Sequence, residues 1–368
     1  MKKRICHITT VHPAKDVRIY HKMCRSLADA GYDVTLVVVN GNADEQDDIP
    51  IIPVPVKYSG RPTRFLKAPA AAARAALELK ADLYHFHDPE FLGEAVRMVR
   101  KGYKVIYDVH EDLPRQLLSK HYIPGLIRPV ISWIAEWYEN NRASRLTGIV
   151  TATQYIHDRF VPVNRRVQAV HNYPVIDLNE SPHYPGGNEL SYIGSLTRVR
   201  GIREMVEAVG LLEGRVILNL AGRYEPESFR DELTLLPGWK YVREHGWAGR
   251  EKVKQLLSGS FAGLVTLHPI INYRDALPVK MFEYMAAAIP VIASDIPLWQ
   301  SIVEDNYCGL TVNPMNPSAI ARAIEELLNN PEKAETMGQN GRRAVVNKYN
   351  WAHEAENLID FYKSILRD

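Results

Sequence analysis

At 368 residues, with 46% hydrophobic and 24% charged side chains, the chain has the length of two ordinary domains and the composition of a water-soluble globular protein. No apolar run reaches the roughly 18 residues a spanning helix needs, and the basic start Met1–Arg4 leads into too short an apolar stretch for a signal peptide, with charge returning at Lys15–Arg18. The net charge of +2 is uneven: residues 1–172 hold 25 Lys+Arg against 18 Asp+Glu (+7), and residues 173–368 hold 20 against 25 (−5). A basic first half predicts an anionic partner there (lipid head groups, a lipid diphosphate or nucleic acid), set against simple drift of surface charge. Three cysteines, Cys6, Cys24 and Cys308, are odd in number and lack metal-ligand spacing, so they are expected to be reduced, buried thiols of a cytoplasmic protein.

Taken in order, Arg4–Thr9 reads as a short buried strand, and Ile19–Ala30 has helical periodicity stopped by Gly31. Val34–Val39, Asp82–His87, Lys104–His110 and Gly148–Ala152 continue a series of near-continuous apolar strands separated by helices. That alternation predicts a parallel sheet covered on both faces, a doubly wound Rossmann-like domain. Functional groups of such sheets belong at the carboxyl ends of strands. Polar residues stand there each time: Thr10–Arg18 after the first strand, His87-Asp-Pro-Glu90 after a later one, and His110-Glu-Asp112 after the next. Three strand ends carrying His with neighbouring acids point to a site, although a single histidine is more often structural. No HExxH-like spacing is present, and no zinc is expected.

Two further pieces of the first half carry charge or amphipathic pattern. Ser59–Arg74 holds Arg61, Arg64, Lys67 and Arg74 beside Phe65 and Leu66. Ile123–Trp137 spaces Leu126, Ile127, Ile131, Trp133, Ile134 and Trp137 as a helix face, with Lys120 and Arg128 alongside. A core-facing helix is the plainer reading of the second piece; a membrane-surface patch is the other.

Residues 173–188, rich in Pro, Gly and Asn, read as an interdomain linker. A second strand–helix series follows through Leu190–Gly194, Ile202–Leu212, Val216–Ala221, Phe261–Thr266 and Val291–Ala293, predicting a second Rossmann-like domain over 189–350. Ser195-Leu-Thr-Arg198-Val-Arg200-Gly201 is a loop-to-helix turn with two arginines, suited to a diphosphate. Glycine turns at Gly222-Arg223 and His245-Gly-Trp247 leave room for a flat base.

Asp275-Ala-Leu-Pro-Val-Lys-Met-Phe-Glu283 predicts a loop running into a helix, then a break at Pro290 and a buried strand. The helix start offers the amides of Leu277, Val279 and Lys280 and a positive dipole end to a phosphate, with Pro278 in the first turn and the Lys280 ammonium alongside. Asp275 and Glu283 are placed to take hydroxyls flanking it, which fits a nucleotide-sugar. The plain alternative makes Asp275 a helix cap and Glu283 a surface acid. The chain ends in three helices, Pro317–Leu328, Pro331–Lys348 and Trp351–Leu366.

The Asp275…Glu283 pair resembles the Glu-x7-Glu motif of retaining, GT-B-fold glycosyltransferases of family 4, and the His-Pro…Asp-x-Arg-Ile, His-Phe-His-Asp-Pro-Glu and Tyr-Asp-Val-His-Glu-Asp segments resemble a subgroup of them. The resemblance implies two Rossmann-like domains facing each other across a cleft, with the last helix (351–368) returning from the second domain to pack on residues 1–172 through Trp351, Phe361 and Tyr362. It implies a nucleotide-sugar held by Ser195, Arg198, Arg200, Gly222, Arg223, Trp247, Leu277, Pro278, Val279, Lys280 and Glu283, with Asp275 on the donor sugar, Glu283 on the ribose and His110 near the reactive bond. His12, Lys15, Asp16, Arg18 and His87 would meet the acceptor. The family's Gly-Gly in the first loop is replaced by Pro13-Ala14-Lys15-Asp16, which leaves Lys15 or Arg18 to substitute for backbone contact with phosphate. Ser195 stands where the family has Arg, which leaves Arg198 or Lys280 to supply the missing cation.

The resulting expectation is a metal-independent retaining glycosyltransferase without a cofactor. It would move a sugar from a nucleotide-diphosphate donor, uridine being the family-weighted base, to a glycan or lipid-linked acceptor in surface polysaccharide synthesis. It would be cytoplasmic, with peripheral attachment to the inner face of the plasma membrane, and no nucleic-acid partner is expected because no basic–aromatic groove motif is present. A sugar-nucleotide 2-epimerase of the same architecture and a non-catalytic nucleotide-sugar-binding module are the alternatives.

Overall fold

A computed structural model describes residues 2–44, 47–118 and 123–367. The chain divides into two compact units, residues 1–172 with 351–368, and residues 173–350. In the first, β1 (Arg4–Thr9), β2 (Asp33–Val39), β3 (Ile51–Val54), β4 (Leu83–Phe86), β5 (Val105–Val109), β6 (Gly148–Thr151) and β7 (Val167–Ala169) form one sheet in the order β3-β2-β1-β4-β5-β6-β7. In the second, β8 (Glu189–Ile193), β9 (Ile217–Ala221), β10 (Val242–Gly246), β11 (Ala262–Val265), β12 (Val291–Ser294) and β13 (Gly309–Val312) run β10-β9-β8-β11-β12-β13. Every pairing is parallel. This is the two-domain α/β GT-B fold. Each sheet reverses its winding once, between β1 and β4 and between β8 and β11, and the strand carboxyl ends beside such a reversal open a crevice for ligands.

Apolar residues on both faces of the strands explain the sheets: β5 is buried along its whole length, and β4 likewise. Four strands carried too little apolar signal to be expected. Pro53 interrupts β3, β7 has three residues, β13 is only partly buried, and β10 (Val-Arg-Glu-His-Gly) is a polar edge. The three thiols are buried and unpaired, and burial pushes them up, away from the reactive thiolate form.

Helix Trp351–Arg367 buries Trp351, Leu358, Phe361, Tyr362 and Ile365, a stripe at helical spacing, in the core that also holds Ile5, Ile106 and Val150. Gly148 makes room for it: a Cβ there would meet the Phe361 ring at 2.8 Å. Its entry is fixed by Glu354, which accepts from the His171 backbone N–H at 2.9 Å, and by Trp351 Nε1, which donates to Ser26 Oγ at 2.8 Å.

The helix expected over 123–137 runs instead from Arg128 to Ala143, and it does not face the core. Trp133 and Trp137 are 67% and 59% exposed, with Val130 and Ile134 also open to solvent. The apolar spacing was real, but few core positions lie beneath it; Ser132, Glu139 and Ala143 form its buried edge. Lys120, read as part of this patch, lies outside the described residues.

Candidate functional site

In the 173–350 unit, β8 gives way at Gly194 to a turn that leads through Arg198–Arg200 into helix Ile202–Leu211. The turn is tightly built. Gly201 adopts φ +73°, and a Cβ on it would meet the Thr266 carbonyl oxygen at 2.0 Å; a Cβ on Gly222 would meet that of Gly194 at 1.9 Å. Facing Gly194 are two cations. A Cβ at that position would lie 2.9 Å from Lys280 Nζ and 3.7 Å from an Arg200 guanidinium nitrogen.

Lys280 projects from the first turn of helix Val279–Ala286 and is buried. Its Nζ donates to Tyr192 Oη at 2.8 Å and lies 4.0 Å from that ring's centroid. Tyr192 in turn donates to the Ser195 carbonyl oxygen at 3.1 Å. Burial, then the neighbouring Arg200, push Lys280 well below the usual lysine range, while Glu283 pulls the other way. A lysine held in this state favours an incoming anion, because a neighbouring negative charge stabilises its ammonium form. The helix-start amides beside it add partial positive charge.

The remaining residues expected at this site are distributed as follows. Pro278 stands just before the first turn, as N-cap with extended backbone, rather than inside it as expected. That also removes the capping alternative for Asp275, which closes the short helix Ile271–Arg274 and is half-buried. Leu277 packs against the core, and the loop is pinned by Trp299 Nε1 donating to the Ala276 carbonyl at 2.7 Å. Glu283 is half-buried on its helix. Of the two side chains expected to supply the missing cation, Lys280 lies by Gly194, whereas Arg198 is exposed, paired with Glu232 and stacked over Phe229. Arg223 and Trp247 are exposed at the ends of β9 and β10, where the Gly222 N–H donates to the Gly246 carbonyl at 2.7 Å.

In the first unit, the carboxyl ends of β1, β4 and β5 gather a histidine–carboxylate array. Asp108, fully buried on β5, takes the Arg18 guanidinium in a fork, Nε to Oδ2 at 3.0 Å and Nη2 to Oδ1 at 2.8 Å. Its Oδ2 also lies 3.0 Å from His87 Nδ1 and 2.7 Å from His110 Nε2. Behind His87, its Nε2 is 2.9 Å from His7 Nδ1; Tyr362 Oη lies 3.3 Å from His7 Nε2 and 2.5 Å from His85 Nδ1. Burial, reinforced by mutual repulsion, holds His7 and His85 well below the ordinary histidine value, and burial depresses His87 against the pull of Asp108. Burial alone would raise Asp108, but Arg18 and the hydrogen-bonded histidines bring it well below the usual carboxylate range.

Nearer the surface, Thr9 Oγ1 and the Thr10 N–H donate to Asp88 Oδ2 at 2.8 and 2.6 Å. His12 sits between Asp88 (3.4 Å) and Asp16 (3.7 Å); burial opposes its charge, and these acids together raise it. Asp16 also caps the π-wound helix Val17–Cys24, accepting from the Arg18 and Ile19 N–H groups. Lys15 pairs with Asp47 at 2.8 Å.

Two expectations are corrected. Arg18, taken as a ligand-facing cation, is 4% exposed and spent on Asp108 and the Val170 carbonyl. His87, taken as an acceptor contact, is 2% exposed and lies behind His110. A guanidinium and a carboxylate this deep need each other, since either alone would be a stranded charge. Sequence reasoning missed Asp108, His7 and Tyr192, and took Tyr362 only as a packing anchor of the last helix. An acid inside the apolar run Val105–Val109 was the available signal for Asp108, because carboxylates are almost never fully buried without a partner. Among the described residues, His85, His87 and Asp108 form a set that could ligate a metal, their ligand atoms lying within 4.8 Å of one another. The Arg18 fork already supplies positive charge to that carboxylate.

The model of glycosyl transferases group 1 matches residues 176–344, and that of the glycosyl transferase 4-like domain matches residues 17–174. Phosphatidyl-myo-inositol mannosyltransferase of Mycobacterium leprae is 23% identical over 369 residues, taking in 96% of this chain and 91% of that protein. Alpha-maltose-1-phosphate synthase of Mycolicibacterium smegmatis is 26% identical over 191 residues, and there the match spans about half of either chain, 48%. Among solved structures, Anabaena HepE in complex with UDP superposes with a TM-score of 0.75 at 15% identity, over 99% of this chain and 100% of that one.

Proposed function

The chain belongs to the group 1 glycosyltransferases, and from that premise we propose that it is a retaining, metal-independent enzyme that moves a sugar from a nucleotide-diphosphate donor, UDP-linked by preference, to a glycan or lipid-linked acceptor. The observation that carries the reading is the pair of cations, Lys280 and Arg200, set against the Gly194 backbone beside a helix start. The leaving diphosphate gathers negative charge as the glycosidic bond breaks, and fixed cations and amides stabilise that charge without reorganising. Asp275 takes the donor sugar's hydroxyls, Glu283 the ribose, and the turns at Gly222 and Gly246 the base, with Arg223 and Trp247 at its rim. His110 borders the transferred sugar, and His12, Lys15 and Asp16 meet the acceptor. The leaving phosphate helps deprotonate the acceptor on the same face, which preserves the anomeric configuration. The basic first unit docks on an anionic membrane surface, which suits an acceptor for surface polysaccharide and a cytoplasmic, peripheral enzyme.

The test is Lys280→Ala in the full chain. One charge-assisted contact is worth about 1.5–3 kcal/mol, so affinity for UDP and for a UDP-sugar should fall together by roughly 10- to 100-fold. Binding of UDP equal to that of the unaltered protein would refute the placement of the diphosphate. Incubation with a panel of sugar nucleotides alone tests the reaction: an epimerised sugar nucleotide formed without acceptor would replace transfer by epimerisation.

A further inference from the structure

The buried array in the first unit fixes its own protons, and we infer that Asp108 is a positioning residue that locks His110 as the Nε2–H tautomer, so that His110 meets its ligand with a bare Nδ1 that accepts a hydrogen bond from a hydroxyl. The inference rests on the proposed transferase reaction only in taking that ligand to be a sugar or acceptor hydroxyl.

The assignment starts at Arg18, which has donors and no acceptor. Its fork on both oxygens of Asp108 requires an ionised, acceptor-only carboxylate. His87 Nδ1 and His110 Nε2, at 3.0 and 2.7 Å from Oδ2, must therefore both carry hydrogen. The 3.2 Å approach of those two nitrogens is then two donors converging on one oxygen, not a bond between them.

From His87 the direction propagates inward. His87 is neutral in its buried setting, so its Nε2 is a lone pair, and the 2.9 Å contact with His7 Nδ1 is donated by His7. His7 Nε2 is then bare and accepts from the Tyr362 hydroxyl at 3.3 Å; the Tyr362 oxygen accepts from His85 Nδ1–H at 2.5 Å. One atom should be left over, the Nε2 of His85, a lone pair with no donor. His85 Nε2 is a buried nitrogen with no hydrogen-bond partner. The reversed chain would need a protonated Asp108 facing Arg18, which the fork forbids. A single proton pattern thus satisfies every contact from Arg18 to His85, and helix Trp351–Arg367 closes it through Tyr362.

His110 is at the open end, its side chain 17% exposed, and among the described residues its Nδ1 makes no hydrogen bond. In the neutral ring, Nε2–H is committed to Asp108 and the lone pair falls on Nδ1. The carboxylate behind the ring fixes its tautomer and orientation, as an aspartate orients a histidine in a catalytic triad.

Ring-nitrogen NMR of the full chain, labelled at its 13 histidines and assigned for His110 by loss of the signal in His110→Gln, reads the tautomer directly. The expected result is Nε2–H with bare Nδ1 at His110, and Nδ1–H with bare Nε2 at His87 and His7. Asp108→Asn keeps its oxygen on Arg18 Nη2 and puts an NH2 in the place of Oδ2, presenting a donor to the histidines and giving up the Arg18 Nε bond; it should invert His110 and lower kcat by roughly 10- to 100-fold, leaving UDP affinity unchanged. A His110 protonated at Nδ1, or a tautomer mixture, in the unaltered protein overturns the inference even if Asp108→Asn fails to fold. Absence of transfer with any donor, beside the expected tautomers, would instead remove the proposed reaction and leave the proton pattern standing.

Discussion

Lys280 illustrates a conflict between ligand readiness and folding. Below about pH 10.5 the unfolded chain carries the charged ammonium, while the folded state resists it, so the unfolded state binds the extra proton and the lysine lowers stability at neutral pH. Lys280→Met should therefore raise the melting temperature of the ligand-free protein, by about 2–4 °C for each kcal/mol relieved, and reduce the further rise expected from UDP in the unaltered chain. A thermal-shift experiment with and without UDP reads both effects; a lower melting point with the UDP shift intact would contradict them. The buried histidines make a second prediction. His7, His85 and His87 are all held below the ordinary value of 6.5, so below that pH the unfolded chain takes up protons that the folded one refuses. Stability is intact above pH 6.5 and is lost as pH falls through it, by up to about 4 kcal/mol per pH unit for three such groups. His12 runs the other way, but only above 6.5, where its acid neighbours retain its proton in the folded state. Urea denaturation from pH 7.5 to 5 should show this acid loss, and His7→Gln should reduce its slope.

At the scale of elements, the closing helix Trp351–Arg367 is a structural part of the first unit. Its five buried apolar side chains account for about 8–15 kcal/mol of burial, comparable to the whole stability of an ordinary domain. Deleting residues 351–368 should unfold the first unit, seen as protease cleavage at sites in β1–β7 that are protected in the full chain; continued protection would show the helix to be dispensable. This helix was legible because an i, i+3, i+4 apolar stripe depends on nearby residues alone, and so were the strands built from unbroken Val, Ile and Leu. Strand β10 was not, since an edge strand of Arg, Glu and His owes its place to β9 rather than to burial. The exposed face of Arg128–Ala143 was misread for a related reason: spacing reveals that a helix has an apolar side but not what covers it. For the site, polar residues at strand ends marked the right neighbourhood, whereas the role of Arg18 was hidden because its partner Asp108 is 90 positions away and chain-local spacing carries no record of such a pair.

Over the whole molecule, charge and apolar exposure converge on the first unit. Residues 1–172 carry the excess of 25 Lys+Arg over 18 Asp+Glu, and the same stretch exposes Trp133 and Trp137 on one helix and Phe65 and Leu66, with Lys67, on helix Arg61–Glu78. Trp133 and Trp137 stand one turn apart beside the exposed Val130 and Ile134, and an exposed apolar helix face of this kind calls for a partner, which the proposed membrane docking would supply. No helix among the described residues is long and apolar enough to span a bilayer, and side chains of this kind suit a helix lying along the bilayer surface. The two contributions separate experimentally. Attraction to anionic lipid is screened over about 8–10 Å at physiological salt, so binding to vesicles containing phosphatidylserine should weaken steadily as salt rises and be slight on phosphatidylcholine alone. In the proposed docking, insertion of the two indoles would not depend on salt. Trp133→Ser with Trp137→Ser should therefore lower the vesicle affinity about 10-fold or more at every salt concentration, leaving the salt slope unchanged. If the double variant instead turned a concentration-dependent dimer into a monomer and left vesicle binding untouched, the face would be a contact between copies of the chain. If vesicle binding ignored salt altogether, the charge asymmetry would have no part in attachment, and the exposed helix alone would have to account for it.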